Sequence, residues 1–122
     1  MGRHFKDLAA WQRAMELVGL VYVATGQFPK HEVYGLASQM RRAAVSVPTN
    51  IAEGQARFSK RDFRHLLRAS RGSLAELETQ ILIALRLNYV DQASANTILS
   101  GIDEVSRILS GLISSISAEE GS

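Results

Sequence analysis

Apolar residues recur at steps of three and four along nearly the whole chain, and only two prolines and a few glycines interrupt them. That period belongs to the α-helix, and no run of strict alternation competes with it. A chain of 122 residues has material for one core, so the sequence is read as a single domain spanning 1–122. The punctuation divides it into four helices, at roughly 8–26, 30–53, 60–88 and 92–117. Connections of a few residues make neighbours antiparallel, so the predicted fold is an all-α, up-down-up-down four-helix bundle.

Each helix carries its own signals. Asp7 is the expected N-cap of the first, whose stripe is Leu8, Trp11, Met15, Val18 and Tyr22. Phe28-Pro29 opens the second, which shows Val33, Ala37, Met40, Ala44, Val47 and Ile51 and is expected to stop at Gly54 as its C′ residue. Pro48 should bend it by depriving the Ala44 carbonyl of its donor, with Ser46, Thr49 and Asn50 near enough to compensate. The third opens on Ser59-Lys60-Arg61-Asp62, a capping-box-like start, and continues as Phe63, Leu67, Ser70, Leu74, Leu77, Ile81 and Ala84. The fourth starts at Asp91 and presents Ala95, Ile98, Ile102, Val105, Leu109, Leu112 and Ile116.

The first and third helices run parallel in this topology and are apolar on more than one face in their C-terminal halves. A surface helix needs only one apolar stripe, so Leu17, Leu20, Val21, Val23, Leu82 and Ile83 are candidates for a subunit interface, against the plainer alternative of a wide core.

Catalytic signatures are absent from the sequence. There is no cysteine, which removes disulfides, thiolate metal sites and cysteine nucleophiles together. His4, His31 and His65 lack HExxH or paired-His spacing, and no P-loop, dinucleotide fingerprint or nucleophile elbow is present. The expectation is a protein without enzymatic activity, metal or cofactor. Gln39, Ser46, Asn50 and Glu53 fall near the apolar face beside Pro48; a hydrogen-bonded network accounts for them, and a small-molecule pocket is the alternative. The longest apolar stretch, Leu17–Ala24, is too short to span a membrane, and no signal peptide is visible, so a cytoplasmic location is expected.

A formal net charge of +2 conceals a strong segregation of charge. Residues 41–71 carry eight cations against only Glu53 and Asp62, whereas the segment that follows is acidic. Arg57, Arg61, Arg64, Arg68 and Arg71 step by four, three, four and three, which confines them to a sector of roughly 80° over about 21 Å of helix. Lys60 flanks the row, and Arg41 and Arg42 add to the basic segment. Guanidinium forks bind phosphate bidentately, so such a row suits a nucleic-acid backbone. No aromatic residues alternate with the arginines, so base readout is not expected. The competing expectation is a solvated face, or pairing with Glu76, Glu119, Glu120 or a neighbouring subunit.

Four segments carry a family resemblance: Phe5–Gln12 (FKDLAAWQ), Phe28–Leu36 (FPKHEVYGL), Gln39–Gly54 (QMRRAAVSVPTNIAEG) and Gly72–Gln80 (GSLAELETQ). In this order they resemble the four-helix-bundle proteins associated with 23S rRNA intervening sequences. The resemblance implies an up-down bundle assembling as a homopentameric ring. It also implies kinship with accessory proteins of diversity-generating retroelements, which bind nucleic acid through a basic surface. Arg41, Arg42, Ser46, Asn50, Glu53, Gly54, Gly72, Ser73, Glu76 and Glu78 match the pattern, and Gly72 is expected to allow close helix approach. Two functions stand open: an RNA-binding accessory subunit using the arginine row, or a scaffold ring that binds protein partners.

Overall fold

The computed structural model describes residues 4–121 and consists of four helices: α1 Ala9–Thr25, α2 Leu36–Ala56, α3 Lys60–Arg86 and α4 Gln92–Gly121. Short 3-10 turns at Phe5–Asp7 and Lys30–Glu32 precede α1 and α2. The helices pack as an antiparallel up-down bundle, in which α1 touches α2 and α4, α3 touches the same two, and the diagonal pairs are held apart. Their buried apolar side chains form one continuous cluster.

The third helix follows its sequence pattern closely. Ser59 Oγ accepts from the Asp62 N–H at 3.2 Å, and Leu67, Ser70, Leu74, Leu77, Ile81 and Ala84 are all buried. The fourth is capped by Asp91, whose carboxylate accepts from the Ser94 N–H at 2.7 Å; that bond holds the Asp91 carboxyl below its usual pKa. Its core row ends through Ile113 and Ile116, with Leu112 half-buried beside it.

The first helix is rotated from its expected phase. Ala10, Ala14, Leu17, Val21 and Thr25 face the core. Leu8, Trp11 and Val18 pack on its flank, while Met15 and Tyr22 are nearly half exposed. Both rows have helical spacing, and alanines on the inner one conceal it in the sequence. The inner row lets α1 lie close to its neighbours: a Cβ on Gly101 of α4 would meet Leu17 Cδ1 at 3.2 Å. Asp7 does not cap α1, because the 3-10 turn places Leu8 at the cap without a side-chain bond.

The second helix begins at Leu36, not after Pro29. The Glu32 carboxylate accepts from the Leu36 N–H at 3.1 Å and from Tyr89 Oη at 2.8 Å, so one side chain caps α2 and ties it to the α3–α4 connection. Gly35 permits this, since a Cβ there would stand 2.5 Å from Glu32 Oε1. Val33, left outside the helix, is half exposed. At the other end α2 runs through Gly54 to Ala56. Gly54 is not a terminator; it is buried, and a Cβ would sit 2.9 Å from Phe63 Cδ1 and 3.2 Å from Leu66 Cβ. Pro48 lies buried between these ends, and the carbonyls around it take hydroxyl donors: Ser46 to Ala43, Thr49 to Val45 and Ser70 to Val47, all within 2.7–2.8 Å. Ser46 and Ser73 also share a 2.6 Å hydrogen bond across the α2–α3 seam. Gly72, in contrast, is exposed, and a Cβ there would meet nothing within 4 Å, so it serves no close approach within the bundle.

Two outcomes follow for stability. Gly54→Ala should lower stability by about 1–3 kcal/mol through overpacking, while Gly72→Ala should raise it by roughly 0.5–1 kcal/mol through helix propensity; denaturant titration of both checks the contrast. Glu32 is the pH-sensitive cap. Its carboxyl is held below the ordinary 4.5, first by the Leu36 N–H and then by the Tyr89 hydroxyl. A depressed pKa adds stability above the unfolded value that is lost as pH falls through the folded one. Melting temperatures of the parent should therefore decline below about pH 4.5, and Glu32→Gln should flatten that limb.

Candidate nucleic-acid interface

The turn Arg57–Ser59 reverses the chain from α2 into α3, and the basic row starts there. Arg61, Arg64, Arg68 and Arg71 all lie on α3, over about 15 Å of its axis. Their flank faces α4, where Arg71 Nη1 donates to Ser110 Oγ at 3.3 Å and Lys60 Nζ lies 3.8 Å from a Glu119 carboxylate oxygen. Arg61 and Arg68 are exposed and make no ion pair among the described residues; Arg64 is half-buried between them. Of the other two candidate partners, Glu76 lies on the cleft with Arg42, and Glu120 has its side chain outside the described residues.

Arg57 is not a member of the helical row. It follows the last turn of α2, where its guanidinium pairs with Glu53 and lies 3.8 Å from Asp62. It therefore clasps the two ends of the turn. These pairs are half-exposed, so each is worth little and exchanges readily for another anion.

Arg41 and Arg42 do not join the row. The antiparallel register sets Ser46 against Ser73 and Gly54 against Phe63, so residues 41 and 42 stand opposite the C-terminal half of α3. Arg41 turns instead toward α1, where its Nε donates to Thr25 Oγ1 at 2.8 Å and its guanidinium lies 4.7 Å above the Tyr22 ring. Arg42 is exposed on an open cleft of about 450 Å³ with Gln39, Ser46, Ser73 and Glu76. The polar set around Pro48 is not a single buried network: Gln39 and Glu53 are exposed at opposite ends of the helix, Asn50 is half-buried, and only Ser46 joins the seam.

The expected interface residues divide. Leu17 and Val21 are buried in the bundle's own core, at 1% and 0% exposure, and have no surface to offer a partner. Leu20 and Val23 on α1 and Leu82 and Ile83 on α3 are exposed, on helices at diagonal corners of the bundle. A further apolar surface was concealed by the expected phase of α1. Met15, Val18, Tyr22 and Val45 line adjoining grooves between α1 and α2, with Val33 and the fully exposed Tyr34 at one end. Phe58, in the α2–α3 turn, is likewise exposed amid Arg57, Lys60 and Arg61; an aromatic residue inside a cationic turn was the available signal. Among the described residues no group of three His, Cys, Asp or Glu side chains is placed to hold a metal ion, and no helix is long and apolar enough to cross a membrane.

The family model for 23S rRNA-intervening sequence proteins matches residues 6–111. The chain is similar to a solved protein of unknown function from the S23 ribosomal protein family of Bacteroides thetaiotaomicron. The two superpose with a TM-score of 0.80 at 21% identity, over 89% of this chain and 98% of the other, a likeness of fold. No curated protein matches.

Proposed function

We propose that this chain, which belongs to the 23S rRNA-intervening sequence protein family, is a non-enzymatic accessory protein that binds RNA through the basic flank of α3. The observation that carries this reading is the arrangement of Arg61, Arg64, Arg68 and Arg71 on one side of one helix, with Arg61 and Arg68 exposed and without an ion pair among the described residues. Like charges one turn apart oppose helix formation by a few tenths of a kcal/mol per pair, so the row costs the isolated helix and gains only when anions meet it. Its contacts are with phosphate, which positions a nucleic acid without reading its sequence.

The protein acts as a homo-oligomer in this reading, with five subunits in the ring that the family resemblance implies. Leu20 and Val23 on one side and Leu82 and Ile83 on the diagonal corner supply two different apolar patches. Two unlike patches suit a head-to-tail contact, which closes into a ring, whereas a two-fold dimer needs only one self-complementary patch. A scaffold ring binding protein partners is the alternative, favoured by the apolar α1–α2 grooves.

Changing Arg61, Arg64 and Arg68 together to Gln should leave the helical circular dichroism intact, because none lies on the Leu67–Leu74–Ile81 face. It should flatten the slope of log affinity against log salt for structured RNA by about two to three, at roughly 0.9 for each duplex phosphate that an arginine no longer neutralises. Unchanged affinity and slope would transfer the function to the scaffold reading. For assembly, Val23→Glu and Ile83→Glu should each reduce the mass seen by light scattering to the 13.4 kDa monomer. Retained assembly in both variants would move the subunit interface to another surface.

A further inference from the structure

Phe58 has no structural reason to be phenylalanine. Its side chain is 84% exposed, and its backbone sits at φ 54°, in the left-handed region. Asn88, the other non-glycine residue with positive φ among those described, is of a type that tolerates that conformation. A bulky aromatic does not, and glycine would fit the turn without strain. Strain of this kind persists where the surroundings enforce it, and it gathers at binding sites. The helices it joins hold it there: Gly54 of α2 packs closely on Phe63 and Leu66 of α3 on one side, and Ser59 caps α3 on the other.

The ring also has a setting. Beside it opens a cleft of about 390 Å³ between the end of α2, the start of α3 and the end of α4, lined by Phe63, Leu112 and Ile116, with Ser59 and the half-exposed Lys60–Glu119 pair at its rim. Apolar walls with a few polar groups at the mouth are the usual composition of a small-ligand site. Arg61 follows within one turn, and the arginine row leads away from it along α3.

We infer that Phe58 and the cleft beside it form a stacking site for an unpaired base of single-stranded nucleic acid, whose phosphates continue onto Lys60, Arg61 and the α3 row. This rests on the RNA-binding reading and narrows its substrate class. Paired bases have their faces covered by neighbours, so an exposed ring gains contact only with a base that is unstacked. Stacking tolerates any base, so the site selects strandedness and not sequence. Its mode also differs from that of the arginines: stacking is little affected by salt, while the phosphate contacts weaken steeply as salt rises.

The test uses the full chain with two labelled probes, an unstructured oligouridylate and a blunt RNA duplex, in fluorescence anisotropy across a salt series. The parent should bind both, and Phe58→Gly should weaken oligouridylate binding by about five- to a hundredfold while leaving duplex affinity and the salt slope unchanged. The same variant should melt at the parent's temperature or a few degrees higher, because glycine relieves the turn. Phe58→Trp should retain oligouridylate binding and change its fluorescence on adding that probe, measured against the parent, whose one tryptophan is Trp11. A parent that binds neither probe overturns the RNA reading and this inference together. A parent that binds RNA through the row, with Phe58→Gly as tight on oligouridylate and Phe58→Trp silent, overturns the stacking site alone. A Phe58→Gly protein that loses assembly, or melts well below the parent, assigns the ring to a subunit contact or to the fold and overturns it equally.

Discussion

The packing of α2 against α3 governs the rest of this bundle. Pro48 removes a backbone donor from the middle of a helix that is buried along most of its length, and such a loss weakens a helix by several kcal/mol unless neighbours compensate. The hydroxyls nearby bond the flanking carbonyls and not the one at Ala44 that the proline frees: Ser46 and Thr49 donate to Ala43 and Val45 within α2, while Ser70 reaches across from α3 to the Val47 carbonyl. A fully buried hydroxyl such as Ser70 is costly unless bonded, so this contact also fixes the register of the pair. Gly54 then lets α2 close on Phe63 and Leu66 at the far end.

The turn of this tightly packed hairpin is where the basic row of the proposed interface begins. Arg57, Phe58 and Ser59 occupy the few residues between α2 and α3, and their conformation is imposed by the helices they join. The arginines that follow are displayed on the α4 flank of α3, because the opposite flank is consumed by the Ser46–Ser73 contact and the α2 seam. The same packing that buries one side of α3 therefore aligns the charges on another.

The opposite end of the molecule is held differently. There one carboxylate, Glu32, caps α2 and accepts from Tyr89, with Phe28 against the same ring at 5.4 Å. These contacts join the α1–α2 connection to the α3–α4 connection, so the two hairpins are linked at one end by hydrogen bonds and rings and along their length by apolar packing. The exposed apolar surface then falls on the outer sides of α1 and α3 and in the α1–α2 grooves.

Much of this was legible in the sequence, and the exceptions share a cause. Helix number, the antiparallel order, the caps at Ser59 and Asp91 and the core row of α3, apart from the half-buried Phe63 and the buried Gln80, follow from local chemistry: periodicity, a capping hydroxyl or carboxylate, and a polar face strong enough to fix the phase. The arginine row on α3 is equally local, since residues three and four apart must share a side of a helix. Where a helix is apolar nearly all round, periodicity cannot choose its phase, and so Leu17 and Val21 of α1 moved from an expected surface into the core while Met15 and Tyr22 moved out. The start of α2 depended on Glu32 meeting Leu36 in a loop that only Gly35 leaves open. The separation of Arg41 and Arg42 from the α3 row, and the exposure of Phe58, depended on the register of one helix against another. Local order in the chain determines which residues share a helix face; which face turns inward, and what stands opposite it, is decided only when the helices compete for the same buried space.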